Sequence, residues 1–365
     1  MAELANEPVV NSFNEWDPLE EVIVGILEGA VDLPWEIGLH AVTPTEDLER
    51  GRTFALQRGG QTIDRWRRSA AQKELDEFVN ILEGEGVTVR RPDPLDHSRP
   101  HGTPDWISPG GNCQANPRDV FIVFGDEILE ATMSWRSRYF EYLAYRTLLK
   151  DYFRQGAKWV AAPKPQLVDH SFNFQYKRGE DYVTTEFEPV FDAADISRCG
   201  KDIFIQRSHV TNDFGIEWVR RHLGDGYRVH KVEFDDYRSI HIDATFVPLA
   251  PGKVMINPDR PIKELPAIFK DSGWDILTPP RSVMPKTHPQ YGYFGWLSMN
   301  MLNLDEERVI VQANEEPMIK ALKNWGFKPI PCSFQNNYRY GGSFHCATVD
   351  IRRRGTLQSY FPNAG

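Results

Sequence analysis

One apolar pattern returns five times along the chain. A charged or turn residue leads into three or four β-branched or aromatic residues: Glu21-Val22-Ile23-Val24-Gly25, Asp119-Val120-Phe121-Ile122-Val123, Asp202-Ile203-Phe204-Ile205, Lys253-Val254-Met255-Ile256 and Arg308-Val309-Ile310-Val311. Short runs of this kind between turn residues predict buried strands. Each is followed at some distance by apolar positions three and four apart, which predict a helix. The helical stretches are Leu75, Phe78, Val79 and Leu82; then Tyr142, Tyr145, Leu148, Leu149 and Phe153; then 216–219, 265–269 and 319–325. They run into Gly84 or Gly86, Gly156, Gly224 or Gly226, Gly273 and Gly326. Glycine takes the left-handed conformation that ends a helix, so each marks a stop. A second short strand follows each glycine, at Val87-Thr88-Val89, Trp159-Val160, Tyr227-Arg228-Val229, Trp274 to Leu277 and Phe327 to Ile330.

Five copies of strand, helix, glycine and strand predict repeated modules. Their starts, near 22, 120, 203, 254 and 309, are unevenly spaced, so insertions separate some of them. Residues 34–66 and 163–186 read as such insertions or surface loops. A doubly wound α/β sheet is the commoner source of alternating strands and helices. A ring of modules is favoured here because the candidate reactive residues come from three modules, each after its module's second strand. No Gly-rich phosphate loop sits at a strand-to-helix turn, which weakens a nucleotide-binding reading. No long linker interrupts the chain. Residues 1–365 are therefore expected to form a single α/β domain of five modules around a central axis.

Composition narrows the partners. A hydrophobic content of 41% is ample for a packed core. The net charge of −10 argues against general nucleic-acid binding, yet suits an acidic pocket for a small cation. Four cysteines, Cys113, Cys199, Cys332 and Cys346, form no C-x-x-C pair. That speaks against a zinc knuckle or thioredoxin-type site and fits a reducing cytoplasm. The segment Met1 to Pro8 reads as neither a secretory signal nor a transit peptide, and no run reaches membrane-spanning length.

Cys346 lies in Gly341-Gly342-Ser343-Phe344-His345-Cys346-Ala347-Thr348. Two glycines allow a tight turn and close approach of backbone to ligand. A lone cysteine is more often structural; the glycine context sets Cys346 apart from Cys332, Cys113 and Cys199. His241 and Asp243 are two apart, so on a strand over 240–246 they would share a face and could serve as an acid/base unit. The bland alternative is a capping Asp beside a surface His. Asp192 and Asp195 flank two alanines and need only one functional member, since Asp-Ala-Ala-Asp is also a helix start. Asp119 opens a strand and either points into a site or ends a loop. Arg260, in the turn Pro258-Asp259-Arg260-Pro261, is suited to hold a carboxylate bidentately. His97, His101 and His230 have no partner pattern. A thiol, an imidazole and several carboxylates are what opening a guanidinium group requires.

These segments together resemble the arginine amidinotransferases, guanidino-modifying enzymes of the pentein fold. The resemblance runs from Asn14-Glu15-Trp16-Asp17-Pro18 to Gly355-Thr356-Leu357-Gln358-Ser359-Tyr360. It includes Met133-Ser134-Trp135-Arg136-Ser137-Arg138, Ala161 to Pro165, Thr184 to Pro189 and Asn257 to Pro261. It implies a fivefold pseudosymmetric α/β propeller, a homodimer, and no metal or organic cofactor. By position it implies Cys346 as nucleophile, His241 as general acid/base and Asp192 as its charged partner. Asp119 and Asp243 are implied to clamp the guanidinium, and Arg260 to hold the donor's α-carboxylate. Ser298, in Trp296-Leu297-Ser298-Met299-Asn300, is expected to bind substrate.

Three departures from the glycine-using members bear on the acceptor. Arg238-Ser239-Ile240 stands where they have Asn-Pro-Met, Tyr293-Phe294-Gly295 where they have Ser-Ser-Lys, and Ala347 where they have Trp. Ala347 resembles members that modify inosamine phosphates or toxin precursors. Glycine, lysine, an aminocyclitol phosphate and a natural-product precursor remain open, with Arg238 expected to meet an acidic group on the acceptor. The expected reaction moves the amidino group of arginine through a covalent amidino-cysteine to an amine and releases ornithine. Loops 34–66 or 290–296 are expected to shield the intermediate from water. The competing readings are hydrolysis of arginine or a methylated arginine on the same fold, and a non-catalytic propeller that binds a cation.

Overall fold

The computed structural model describes residues 8–286 and 295–361. Five three-stranded sheets share one pattern, and a two-stranded ribbon accompanies them. The first sheet joins Thr348–Arg353, Leu19–Val24 and Thr88–Arg90; the second joins Phe121–Phe124, Glu127–Glu130 and Lys158–Ala161. The third is Ile196–Cys199, Asp202–Gln206 and Arg228–Val232, and the fourth is Phe246–Ala250, Lys253–Ile256 and Asp275–Leu277. Leu302–Asn303, Arg308–Gln312 and Lys328–Cys332 make the fifth. In every sheet an antiparallel pair is extended by a parallel third strand. A parallel partner needs a crossover, and helices supply it at Arg65–Gly84, Arg146–Arg154, Asp213–Leu223, Ala267–Asp271 and Glu316–Asn324.

The repeated pattern is thus present, with the middle and third strands close to where the apolar runs place them. Gly86, Gly156, Gly224, Gly273 and Gly326 carry the positive φ expected of helix stops. The second module differs from the expectation. Pro117–Val120 is a helical turn, and the strand starts only at Phe121. Its counterpart to the other leading strands is Glu127–Glu130, which pairs in parallel with Lys158–Ala161.

The pattern also misses an antiparallel strand in each of the other sheets. Two of them, Ile196–Cys199 and Thr348–Arg353, are largely buried yet carry the polar residues Arg198, Asp350 and Arg353, which break the apolar pattern; Phe246–Ala250 is apolar but interrupted by Pro248. They contact one another in order. Thr348–Arg353 touches Phe121–Phe124; Arg198 Nη1 donates to the Val123 carbonyl; Phe246–Ala250 touches Ile196–Cys199. Asn303 Nδ2 then donates to the Leu249 carbonyl, and Arg353 Nη2 donates to the Asn303 carbonyl.

Residues 34–66 are not a bare loop. They form helices at Ile37–Val42 and Leu48–Arg58. Residues 163–186 have little regular structure beyond the short turn Asp169–Ser171. Most of the loop 290–296 lies outside the described residues. Among the described residues no helix is long and apolar enough to cross a membrane.

Candidate active site

The segments entering the buried strands all bear on one site. Short helical turns precede four of them: Pro117–Val120 holds Asp119, Ala193–Asp195 follows Asp192, Ile242–Ala244 holds Asp243, and a fourth comes before Leu302–Asn303. Leu297–Met299 leads to Asn300, and Cys346 sits just before Thr348–Arg353. Residues far apart in sequence meet because each is the last polar residue, or nearly so, before its strand dives inward.

The segment 240–246 is not the strand expected. His241 has φ 48° and ψ 116°, and a 3-10 turn follows it before Phe246 begins a strand. A positive φ is costly for a side chain with a Cβ and marks a conformation enforced by its surroundings. The turn separates His241 from Asp243. His241 Nε2 lies 3.1 Å from Asp192 Oδ2, and its Nδ1 lies 3.5 Å from Asp119 Oδ1. Asp243 instead meets a second imidazole, with Oδ2 2.8 Å from His345 Nδ1. Asp195 turns away to accept hydrogen bonds from Ser208 and Thr211, and burial pushes its carboxyl up to about 7.

Cys346 is 2% exposed, and its thiol donates to Asp243 Oδ2 at 3.2 Å. Its backbone N–H and that of Ser343 donate to Asn300 Oδ1 at 3.1 and 3.2 Å. Asn300 thereby holds both ends of the turn that presents the sulfur. Gly341 has φ 89°, and a Cβ on Gly342 would lie 2.4 Å from the Cys346 Cβ. Both glycines are therefore needed for this turn.

Electrostatics distinguish the groups. Burial disfavours a charged His241 ring, but the carboxylates of Asp119 and Asp192 outweigh it and push the ring up to about 10. Burial, with Asp243 and Asp119 nearby, pushes the Cys346 thiol well above its usual range. Burial also raises Asp119, despite His241 and Arg138 beside it. Asp243 is held low: burial opposes its charge, and His345 and His241 overcome that. The resting site is thus a protonated thiol, a protonated imidazole and an acidic wall.

A cavity of about 760 Å³ opens onto Asp119, Arg138 and His241, with Arg238, Arg260 and Arg339 in its walls and an apolar flank including Trp35, Phe54 and Trp66. Asp192, Asp243, Cys346 and Ser298 are not among its lining residues. Arg260 Nε lies 3.0 Å from Asp236 Oδ2 and Arg238 Nε 4.0 Å from Asp236 Oδ1, so two guanidinium groups share one carboxylate at the cavity wall. Ser298 is buried, and among the described residues its hydroxyl has no hydrogen-bond partner.

Arg138, Asn300 and His345 escaped residue-by-residue reading. Arg138 Nη2 lies 2.8 Å from Asp119 Oδ2 and also grips Glu141 bidentately. The Ser134 N–H donates to Asp192 Oδ1 at 3.3 Å. All lie inside the stretches that carry the family resemblance, so the signal was present without an assigned role.

No family model matches the chain. An L-arginine:L-lysine amidinotransferase from Pseudomonas savastanoi pv. phaseolicola is 51% identical over 356 residues, spanning 96% of each chain. The mitochondrial glycine amidinotransferase of Danio rerio is 49% identical over 98% of this chain and 86% of its own. Among solved structures, SxtG, an amidinotransferase of the saxitoxin biosynthetic pathway from Microseira wollei, is similar with a TM-score of 0.93 and 52% identity, covering 96% of this chain and 99% of that one. A dimethylarginine dimethylaminohydrolase, at 13% identity and a TM-score of 0.57 over 91% of this chain and 99% of that one, shares the fold.

Proposed function

The chain belongs to the amidinotransferase family and has the pentein fold, and from that premise we propose that it moves the amidino group of L-arginine to a primary amine through Cys346. The observation that carries the mechanism is the thiol of Cys346 donating to Asp243 within the same acidic cluster that holds His241.

A guanidinium carbon is a poor electrophile, so the cation must be fixed against the sulfur. Asp119 and Asp243 do this in our reading, and Arg260 receives the donor's α-carboxylate. The arriving positive charge offsets the carboxylates that hold the thiol protonated, and the thiol proton passes to solvent, from which the sulfur regains it when the product cation leaves. The thiolate attacks the central carbon to give a tetrahedral adduct. His241, protonated and paired with Asp192, gives its proton to the departing amine as the carbon–nitrogen bond breaks, and ornithine leaves. The amidino group is now on sulfur. The acceptor amine attacks that carbon and loses a proton to neutral His241; the carbon–sulfur bond breaks and the thiolate returns. This is covalent, ping-pong catalysis.

The cavity is in the range of sites that enclose drug-sized ligands, which supports an acceptor bulkier than glycine. Arg238 is the group we assign to an acidic function on it. Ser298, buried within the turn that leads to Asn300 and with its hydroxyl unpartnered among the described residues, is assigned to substrate binding. The helices at Ile37–Val42 and Leu48–Arg58, which help wall the cavity, are our candidates for excluding water. The sequential contacts of the buried strands support a fivefold propeller built as one domain. Four buried free thiols support a cytosolic setting, and the family resemblance supports a homodimer.

Intact-mass measurement after mixing with arginine tests the reaction. The wild type is expected to gain one amidino group and release stoichiometric ornithine, whereas Cys346→Ser gains nothing and loses more than about 10⁴-fold in rate. A wild type that forms citrulline and no transfer product overturns the proposal.

A further inference from the structure

His345 takes no part in the transfer steps above, yet its ring is tied at both ends. Nδ1 lies 2.8 Å from Asp243 Oδ2, the same oxygen that accepts the Cys346 thiol proton. Nε2 lies 3.4 Å from Glu15 Oε2. Glu15 is itself gripped bidentately by Arg198, with both contacts at 2.9 Å. A line of groups thus runs from sulfur to carboxylate to imidazole to carboxylate, and ends on a buried guanidinium.

We propose that His345 is a positioning residue for amidino transfer: an imidazolium held between Glu15 and Asp243 that fixes the Asp243 carboxylate against the sulfur and draws the thiol towards thiolate.

The physical reason lies in what Asp243 would do alone. A buried carboxylate that accepts a thiol proton stabilises the thiol, which is the wrong state for attack. A cation on the same carboxylate oxygen offsets that charge and leaves the oxygen less able to hold the proton. The ring also limits how far Asp243 can turn when it meets a guanidinium, and small errors of placement are expensive in a reaction that depends on alignment. The groups facing the ring are Asp243 and Glu15, with Arg118 opposing and Asp350 and Cys346 farther along. Burial and Arg118 work against a charged ring, but Asp243 and Glu15 keep it above the ordinary imidazole range.

This inference rests on the transfer reading for its consequence in turnover, but its first test needs no substrate. Alkylation of Cys346 by iodoacetamide is followed against pH in the resting enzyme, so a failure of transfer chemistry leaves that readout intact. His345→Asn keeps an amide donor for Asp243 where Nδ1 stood and removes the charge. The apparent thiol pKa is expected to rise by about one unit. Ornithine release should fall by about 100-fold, with a change in arginine KM below about tenfold. An unchanged alkylation profile overturns the proposal. Should the variant fail to fold, the wild type labelled with ¹³C at histidine Cε1 answers the same question. The two ring signals that move most on alkylation of Cys346 should both report protonated imidazole at neutral pH, and a neutral ring among them overturns the proposal.

Discussion

Asp350 and Asp119 are both buried carboxylates facing guanidinium groups, yet their surroundings treat them oppositely. Asp350 meets Arg118, Arg198 and Arg353, the last two at 2.6 and 2.8 Å, and these cations overcome burial to hold its carboxyl well below the usual range. Asp119 shares Arg138 with Glu141 and faces His241, and burial leaves it raised. One carboxylate is saturated by the protein's own arginines. The other has charge to spare on the wall of a cavity. The same guanidinium–carboxylate pairing that locks the fold is left short of cations where, on the proposed function, arginine is to bind.

The sharpest way to break this comparison is to give both residues the same substitution. Asp350→Asn is expected to destabilise the fold by about 3–5 kcal/mol, because it leaves buried arginines uncompensated. Asp119→Asn should leave the unfolding midpoint unchanged or slightly higher, while kcat/KM for arginine falls by about 10²- to 10³-fold. The signs follow from linkage. A depressed carboxyl such as Asp350 contributes stability above its unfolded pKa and loses it as pH falls through the folded value. A raised one such as Asp119 contributes only at low pH and loses it as pH rises. Equal losses of stability in denaturant titrations of the two variants would end the distinction.

A second test uses pH. His241 is raised to about 10, so its proton, and the stability it brings, is present below the ordinary imidazole pKa and lost as pH rises through about 10. The ornithine burst in rapid-quench experiments should hold from neutral pH to about 10 and fall above it. Asp192→Asn removes a carboxylate from the ring and should move that limb down by about one unit. The smallest effect sharpens another wall of the cavity, where Arg238 and Arg260 both face Asp236. Arg238→Ala should reduce the preference for acidic over neutral amine acceptors by about tenfold, read as the ratio of their kcat/KM values, with arginine KM little changed.

How far the sequence discloses this molecule depends on distance along the chain. The middle strands are legible because Val309 to Val311 or Ile203 to Ile205 are uniformly apolar, and the helices because glycine stops them. A buried antiparallel strand such as Ile196-Ser197-Arg198-Cys199 is not, since it is interior only because Glu15 and Asp350 await the arginine. At the site, Cys346, His241 and Asp192 stand in recognisable segments. The partnership of Glu15 with His345 spans most of the chain, and no local pattern announces it. The assumed strand over 240–246 fails for a related reason: His241 is bent out of regular geometry by partners that its own neighbours do not reveal.

The pairing of Thr348–Arg353 with Leu19–Val24 has a kinetic consequence. Leu19–Val24 must wait for a partner made far later along the chain, so its edge stays open over that stretch of synthesis, a slow and aggregation-exposed arrangement. Cys346, which carries the attacking sulfur of the proposed mechanism, lies in the lead-in to that later partner. On the proposed mechanism, competence arrives with that pairing: a polypeptide not yet made past Cys346 has no means of seizing arginine, and gains it in the same event that seals the first sheet.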